Sequence, residues 1–170
     1  MRKINTKITP QFIAVTAVIA ALYVALTLAC PLSYMGVQFR ISEVLVLLCF
    51  YNRRFIPAMI IGCAVANLFS PFAQMDLIFG TLATTVAVVP LKSIKNIYLA
   101  SVVPAVVNGL IVGFELWAVF GLPYVLSASE VAFGELVVIA GLGATLFKVA
   151  ERNSRVMSLI RGFGKAERTR

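Results

Sequence analysis

The 170-residue chain contains no histidine, and several motifs of enzymes are also missing. Without His, a Ser–His–Asp triad is excluded, together with a common metal ligand and general base. No G-x-x-x-x-G-K-[ST] phosphate loop is present, so the chain carries no ATP motor of that kind. Cys30, Cys49 and Cys63 lack C-x-x-C spacing, and we expect them to fill apolar space. The sequence thus predicts no enzyme, catalytic residue, metal site or cofactor.

Charged residues are also scarce. They make up 13% of the chain, whereas 61% of residues are hydrophobic, and the mean hydropathy is +0.96. Average proteins are about 25% charged and 45–50% apolar. The net charge of +8 would by itself suggest nucleic-acid binding, but so little polar surface cannot cover a soluble domain. We therefore predict an all-α integral membrane protein whose positive charge marks one side of the bilayer.

Six apolar runs predict six transmembrane helices in one domain, residues 1–170. The runs cover about 11–30, 41–51, 55–69, 77–91, 97–120 and 125–149, before a basic tail at 150–170. The second run is only about 17 Å long as an α-helix, too short for a ~30 Å hydrocarbon core. It is either extended by Gly36 to Arg40 or sheltered by neighbouring helices.

The basic residues indicate the orientation. With six spans, 14 of the 15 Lys and Arg residues fall on one side, and Arg40 alone falls on the other. The positive-inside rule places that richer side, with both termini, in the cytoplasm. Five or seven spans would divide the cations between the two sides. We expect a multi-pass protein of the cell membrane.

Acidic residues collect at the outer helix ends in this topology: Glu43, Asp76, Glu115, Glu130 and Glu135. A charge inside a membrane helix costs about 2.5–3.5 kcal/mol and normally faces a cavity. Glu115 and Glu135 lie well inside their runs, so we expect both to line a polar cavity. For the other acids, the alternative is that their side chains face water at the edge of the membrane. Arg40 and Glu43, three apart, form either an internal pair or an ion pair at the membrane edge.

Two asparagines and several small residues add to the pattern. Asn108 and Glu115 are seven residues apart and share a helix face; with Asn67, they serve either as interhelical hydrogen-bonding groups or in ligand recognition. Small residues recur every four positions at Ala17, Ala21, Ala25 and Ala29, at Ala58, Gly62 and Ala66, and at Gly109 and Gly113. Such faces pack helices closely, and the first of them is long enough to dock another membrane protein.

Four blocks in order resemble the QueT family of substrate-binding (S) components of energy-coupling factor (ECF) transporters. They are Gly36 to Glu43, Ile61 to Ser70 with Asp76 and Phe79 to Thr84, Pro104 to Leu116, and Gly134-Glu135. The resemblance covers about residues 10–150. Val44 and Cys49 depart from the Ala and Pro expected there.

The resemblance implies a six-helix protein that captures a queuosine precursor, 7-aminomethyl-7-deazaguanine, from outside. It implies a transmembrane coupling subunit and two cytoplasmic ATPases as partners, with docking through Ala17, Ala21 and Ala25. The outer carboxylates suit the cationic, donor-rich base. We expect the substrate site to contain Arg40, Glu43, Asn67, Asp76, Asn108, Glu115 and Glu135, with Arg40 orienting Glu43. Candidates for stacking on the base are Phe39, Phe72, Trp117 and Tyr124.

Two other functions fit the same residues. A self-sufficient cation-coupled transporter of a small cationic or purine-like solute would use the carboxylates to carry protons. A membrane scaffold would use its polar residues only to join helices.

Overall fold

The computed structural model describes residues 8–34 and 38–163, and within those ranges it contains helices and no strand. The all-α prediction is therefore confirmed. Some residues used in the predictions lie outside these ranges: Gly36 and six of the cations, Arg2, Lys3, Lys7, Lys165, Arg168 and Arg170.

Seven helices follow one another along the described chain. Helix α1 is Pro10–Ala29, α2 is Ile41–Tyr51, α3 is Ile56–Asn67, α4 is Ala73–Val88 and α5 is Ile97–Phe120. Helix α6 runs over Tyr124–Ala150 with a π-helical stretch at Val137–Gly143, and α7 is Ser154–Gly162. Short 3₁₀ turns cover Pro31–Tyr34, Arg53–Phe55 and Leu91–Ser93.

Within residues 8–34 and 38–163, four segments are long and apolar enough to cross a membrane: Pro10–Ala29, Ala73–Ser93, Ile97–Phe120 and Tyr124–Ala150. They match the first, fourth, fifth and sixth predicted runs. The fourth helix begins at Ala73, earlier than the predicted start near residue 77. The earlier start places Asp76 in its first turn, where the helix dipole favours an acidic side chain.

Helix α2 is short, as expected, but most of it is not α-helical. Seven residues, Ile41–Leu47, form a 3₁₀-helix, and Leu48–Tyr51 complete it as α-helix. Because a 3₁₀-helix rises about 2.0 Å per residue against 1.5 Å, the segment spans about 20 Å. Residues 38–40 are not helical, while most of α2 is buried. The structure therefore favours shelter by neighbouring helices over extension of α2.

Glycines let the helices approach one another, as the small-residue spacing predicts. A Cβ at Gly62 of α3 would lie 2.9 Å from Tyr23 Cβ of α1. A Cβ at Gly113 of α5 would lie 2.6 Å from Ala128 Cα of α6, and Gly109 meets Ala132 of α6 as closely. These two contacts hold α1 against α3 and α5 against α6.

The loops rich in Lys and Arg meet at one end of the bundle, here called the basic end (residues 51–54, 91–96 and 148–163). Lys92 Nζ donates to Tyr51 O at 2.8 Å, and Tyr51 OH donates to Glu151 Oε1 at 3.2 Å. Arg53 donates to Ser93 Oγ at 3.0 Å. Side chains on three loops are thus joined, which agrees with the predicted clustering of cations.

The tail contains a helix that the sequence analysis did not predict. Asn153 caps α7 by accepting from the amides of Arg155 and Val156. At the other end, Asn52 Nδ2 donates to Ile160 O at 3.1 Å and Phe163 O at 2.8 Å. The Phe163 ring stacks on Phe55 and Phe12. Helix α7 is therefore fixed to the basic end.

Candidate functional site

Charged side chains are buried inside this apolar bundle. Arg40 is 5% exposed, and Glu43, Glu115 and Glu135 are each 1% exposed; Asn67 and Asn108 are buried with them, and Asp76 is half-buried. Burying such groups is costly unless partners or a ligand offset the loss of hydration. We call these seven residues, together with Tyr23, the polar cluster.

Glu43 lies where the N-terminal part of α2 meets α1. Its Oε1 accepts a hydrogen bond from the hydroxyl of Tyr23, which is completely buried. One turn further along α1, Thr27 Oγ1 lies 2.6 Å from Ser42 Oγ. Two side-chain bonds therefore join α1 to the start of α2.

Arg40 directly precedes α2, and its charge acts on carboxyls of α2 and α6. Its guanidinium interacts electrostatically with both Glu43 and Glu135. Gly134 makes this approach possible, since a Cβ there would lie 2.5 Å from Gln38 O. The non-helical segment 38–40 thus packs directly on the backbone of α6, next to Glu135.

Helix α5 contributes Asn108 and Glu115 from one buried face, as their spacing predicts. The Asn108 side chain lies near enough to the carboxyl of Glu135 of α6 to influence it. The carboxyl of Glu115 interacts with that of Asp76 at the start of α4. The stripe on α5 therefore meets acidic groups on both neighbouring helices.

Asn67 connects the end of α3 to α4. Its Nδ2 donates to Asp76 O at 2.8 Å, and Ser70 Oγ donates to Asp76 Oδ2. Gly80 leaves room for this amide, since a Cβ there would lie 2.8 Å from Asn67 Nδ2. Asp76 is in this way held by the loop that precedes it.

Four oxygens of the polar cluster are buried and have no hydrogen-bond partner within the described part of the chain: Asn67 Oδ1, Asn108 Oδ1, Glu115 Oε2 and Glu135 Oε2. All four are acceptors when the carboxyls are ionised, and buried polar atoms normally have partners. The arrangement suits a ligand that presents several N–H donors.

The four aromatic candidates differ in position. Phe39 is half-buried beside Arg40, whereas Phe72 is 51% exposed and Trp117 is 50% exposed. Tyr124 is exposed as well. Phe72 packs edge-on against Phe120, and Trp117 against Phe114. Phe39 is therefore the least exposed of the four candidates and directly precedes Arg40 of the polar cluster.

The family model for the QueT transporter matches residues 13–152. The chain belongs to the QueT transporter family. This confirms the resemblance drawn from the sequence blocks, and the family is one of transporters and not of enzymes. With its four long apolar helices, this family member is a multi-pass membrane protein.

A curated relative is the "Queuosine precursor transporter QueT" of Lactococcus lactis subsp. cremoris (strain MG1363). It is 43% identical over 77 residues, which are 44% of this chain and 45% of the relative. The matched segment thus spans less than half of that protein's length. No solved structure matches the chain.

Sequence reasoning missed several hydroxyl and thiol groups of this QueT family member. Tyr23 and Thr27 hold the start of α2, and Ser70 holds Asp76. Cys63 was expected only to fill apolar space, yet its sulfur accepts from Thr84 Oγ1 at 3.1 Å. The sequence of α1 does indicate a polar face, because Tyr23 and Thr27 are four residues apart and therefore lie on one side of the helix.

The small residues of α1 lie on a different face. Ala17, Ala21 and Ala25 are exposed, whereas Ala20 and Tyr23 on the other side are buried against the bundle. The face considered for docking is thus accessible along α1.

Proposed function

We propose that the protein is the S component of an ECF-type importer and that it binds a queuosine precursor, 7-aminomethyl-7-deazaguanine, in the polar cluster. Family membership and the name of the Lactococcus relative support this choice of substrate. The observation that carries it is the set of four buried acceptor oxygens without partners in the described residues.

The chemistry of the base complements these groups. A deazaguanine presents N–H donors along its pyrimidine edge, and its aminomethyl arm is a cation. Carboxylates form charge-assisted hydrogen bonds with such donors, roughly twice as strong as neutral ones. The polar cluster holds four carboxyl groups and one guanidinium, so it favours a cation over an anionic vitamin.

Each residue then has a role. Glu115 and Glu135 accept from the base or its ammonium group, and Asp76 adds negative charge beside Glu115. Asn67 and Asn108 accept through their free carbonyl oxygens. Arg40 orients Glu43 and Glu135. Phe39 stacks on the flat ring, with Phe72, Trp117 and Tyr124 as the other candidates.

The membrane arrangement that fits this role has six spans in a single domain, residues 1–170, with both termini in the cytoplasm. Helices α2 and α3 are the short spans, sheltered by the longer ones. The separation of the basic end from the polar cluster supports this orientation, because the positive-inside rule places the basic end in the cytoplasm. The polar cluster then lies toward the outside.

Import also requires partners, since no phosphate loop is present in the sequence. We propose a transmembrane coupling subunit and two cytoplasmic ATPases. The exposed Ala17, Ala21 and Ala25 of α1 would dock the coupling subunit, because small residues allow close helix approach. Replacing Ala21 by Trp should block assembly with that subunit and leave ligand binding intact; unaffected assembly would place docking elsewhere.

Ligand binding by the purified protein tests the site. Glu115→Gln and Glu135→Gln should each weaken binding of the deazaguanine about 10- to 100-fold, from the 1.5–3 kcal/mol of a hydrogen bond to a charged group. Glu130→Gln is the matched control, because Glu130 is half-buried outside the polar cluster. Unchanged affinity in both cluster variants would refute the site.

The buried carboxyls also suit a second function, proton-coupled transport without ATPases. Uptake into vesicles that lack any ATPase, driven by a proton gradient, would establish it. A scaffold, by contrast, requires polar groups that satisfy one another, and four acceptors of the polar cluster have no partner among the described residues.

A further inference from the structure

Two clefts open at the basic end, away from the polar cluster. One, of about 290 Å³, is lined by polar and apolar residues that include Lys95 and Glu151. The other, of about 390 Å³, is lined mainly by apolar side chains between α1 and α7. We call the second one the α1–α7 groove, and its volume lies within the range of small-molecule sites, about 300–1,000 Å³.

The walls of the groove are apolar along most of their length. Helix α1 contributes Gln11, Val15 and Ile19, which follow one another by one turn each, and Leu48 and Phe55 also line the groove. The remaining lining residues come from α7 and the residue after it: Ser158, Leu159, Ile160, Gly162 and Phe163. Leu159 is 75% exposed although it belongs to a helix that is firmly anchored. A long apolar chain is the kind of occupant that these walls would accept.

Positive charge lies on the same face of α7. Arg155 precedes Ser158, Leu159 and Gly162 by three, four and seven residues, so it shares their side of the helix. Its side chain is exposed. Arg161 is turned differently, since its guanidinium lies 5.6 Å from the centre of the Tyr51 ring. Arg155 does not itself line the groove, but it lies on the face of α7 that borders it.

The groove is apolar, and the amphipathic helix beside it carries an exposed arginine. These two features suit a molecule with an acyl chain and an anionic headgroup. We propose that the α1–α7 groove binds an acidic phospholipid, with an acyl chain against Val15, Ile19 and Leu159 and the phosphate group at Arg155. Charge complementarity favours this occupant over a helix of a partner protein, which would have to place an acidic group at the same point. The site is independent of the polar cluster and of the transported ligand.

Glycine 162 provides a way to fill the groove without disturbing the fold. A Cβ built at this position meets no heavy atom within 4 Å, and Gly162 lines the groove. Gly162→Leu should therefore occupy the space of the acyl chain while α7 stays in place.

The test uses the full-length chain, delipidated in neutral detergent, with the thermal midpoint followed during titration. Dioleoylphosphatidylglycerol should raise the midpoint saturably, and dioleoylphosphatidylcholine should do so more weakly. Arg155→Gln should weaken the phosphatidylglycerol response about 5-fold, from the contribution of one basic residue at a membrane surface. Gly162→Leu should abolish the response to both lipids, and Lys95→Gln, which removes a cation outside the groove, should leave both unchanged.

Three results would overturn the proposal. Equal responses of the wild-type protein to the two lipids would remove the headgroup assignment. A normal phosphatidylglycerol response in Gly162→Leu would show that lipid binds outside the groove. A loss of response in Lys95→Gln equal to that in Arg155→Gln would reduce the effect to general attraction by the basic end.

Discussion

The bond between Tyr23 and Glu43 allows a stringent test of the polar cluster. Tyr23→Phe removes one oxygen and keeps the ring that packs against Gly62. Both partners are buried, so water cannot readily replace the lost donor at Glu43. A hydrogen bond to a charged group contributes about 1.5–3 kcal/mol. We expect the free energy of unfolding to fall by about that amount.

The neighbouring pair provides a matched control. Ser42→Ala removes a bond between two neutral hydroxyls, Ser42 and Thr27, which is worth about 0.5–1.5 kcal/mol, and it leaves the hydrogen bond from Thr27 Oγ1 to Tyr23 O in place. For chains of 150–250 residues, 1 kcal/mol shifts the melting temperature by about 2–4 °C. Tyr23→Phe should therefore lower it by about 3–12 °C, and Ser42→Ala by about 1–6 °C.

The buried thiols of Cys49 and Cys63 supply the assay, because a thiol-reactive dye reports their exposure on unfolding. Measurements are made in detergent at pH 7, with and without the deazaguanine. Equal shifts in Tyr23→Phe and Ser42→Ala would refute the reasoning, since they would mean that Glu43 is not ionised or does not depend on its tyrosine donor.

Further predictions concern packing and the basic end. Gly113→Ala should destabilise the protein by at least about 1–3 kcal/mol, because its methyl group would overlap Ala128, as measured by thermal unfolding. Asn52→Ala removes the amide that binds two carbonyls at the end of α7, so proteolysis within α7 should accelerate while ligand binding stays unchanged. The hydrogen bond from Lys148 lowers the pKa of Glu151, so its small stabilising effect is present above the ordinary carboxyl pKa and is lost as the pH falls below it. Glu151→Gln should reduce this acid sensitivity, and an unchanged pH profile would contradict the assignment.

Most helices were predictable from local properties of the chain. Long apolar runs must satisfy their backbone groups internally, so in a membrane they form helices. The bounds of α5 agree with the predicted run, and those of α1 differ by one residue. Helix α7 escaped prediction because it is short and depends on contacts with Asn52 and Phe55, which are remote in sequence.

The charged and amide residues of the polar cluster were expected from the sequence, whereas Tyr23 was not. Carboxyls and amides inside apolar runs are costly to expose to lipid, so they must turn inward. Glu115 and Glu135 are buried as expected. Their contacts were not predictable: Glu115 meets Asp76, and Glu135 meets Asn108 of another helix.

The sequence by itself determined that this is a helical membrane protein with its cations gathered in a few loops and its buried charges in a few helices. These properties follow from hydropathy and charge, which each segment carries alone. Tertiary structure decided that α2 is largely 3₁₀, that Tyr23 holds Glu43, and that a groove lies between α1 and α7. Each of these depends on how helices are rotated and spaced against one another, which close packing between distant residues sets.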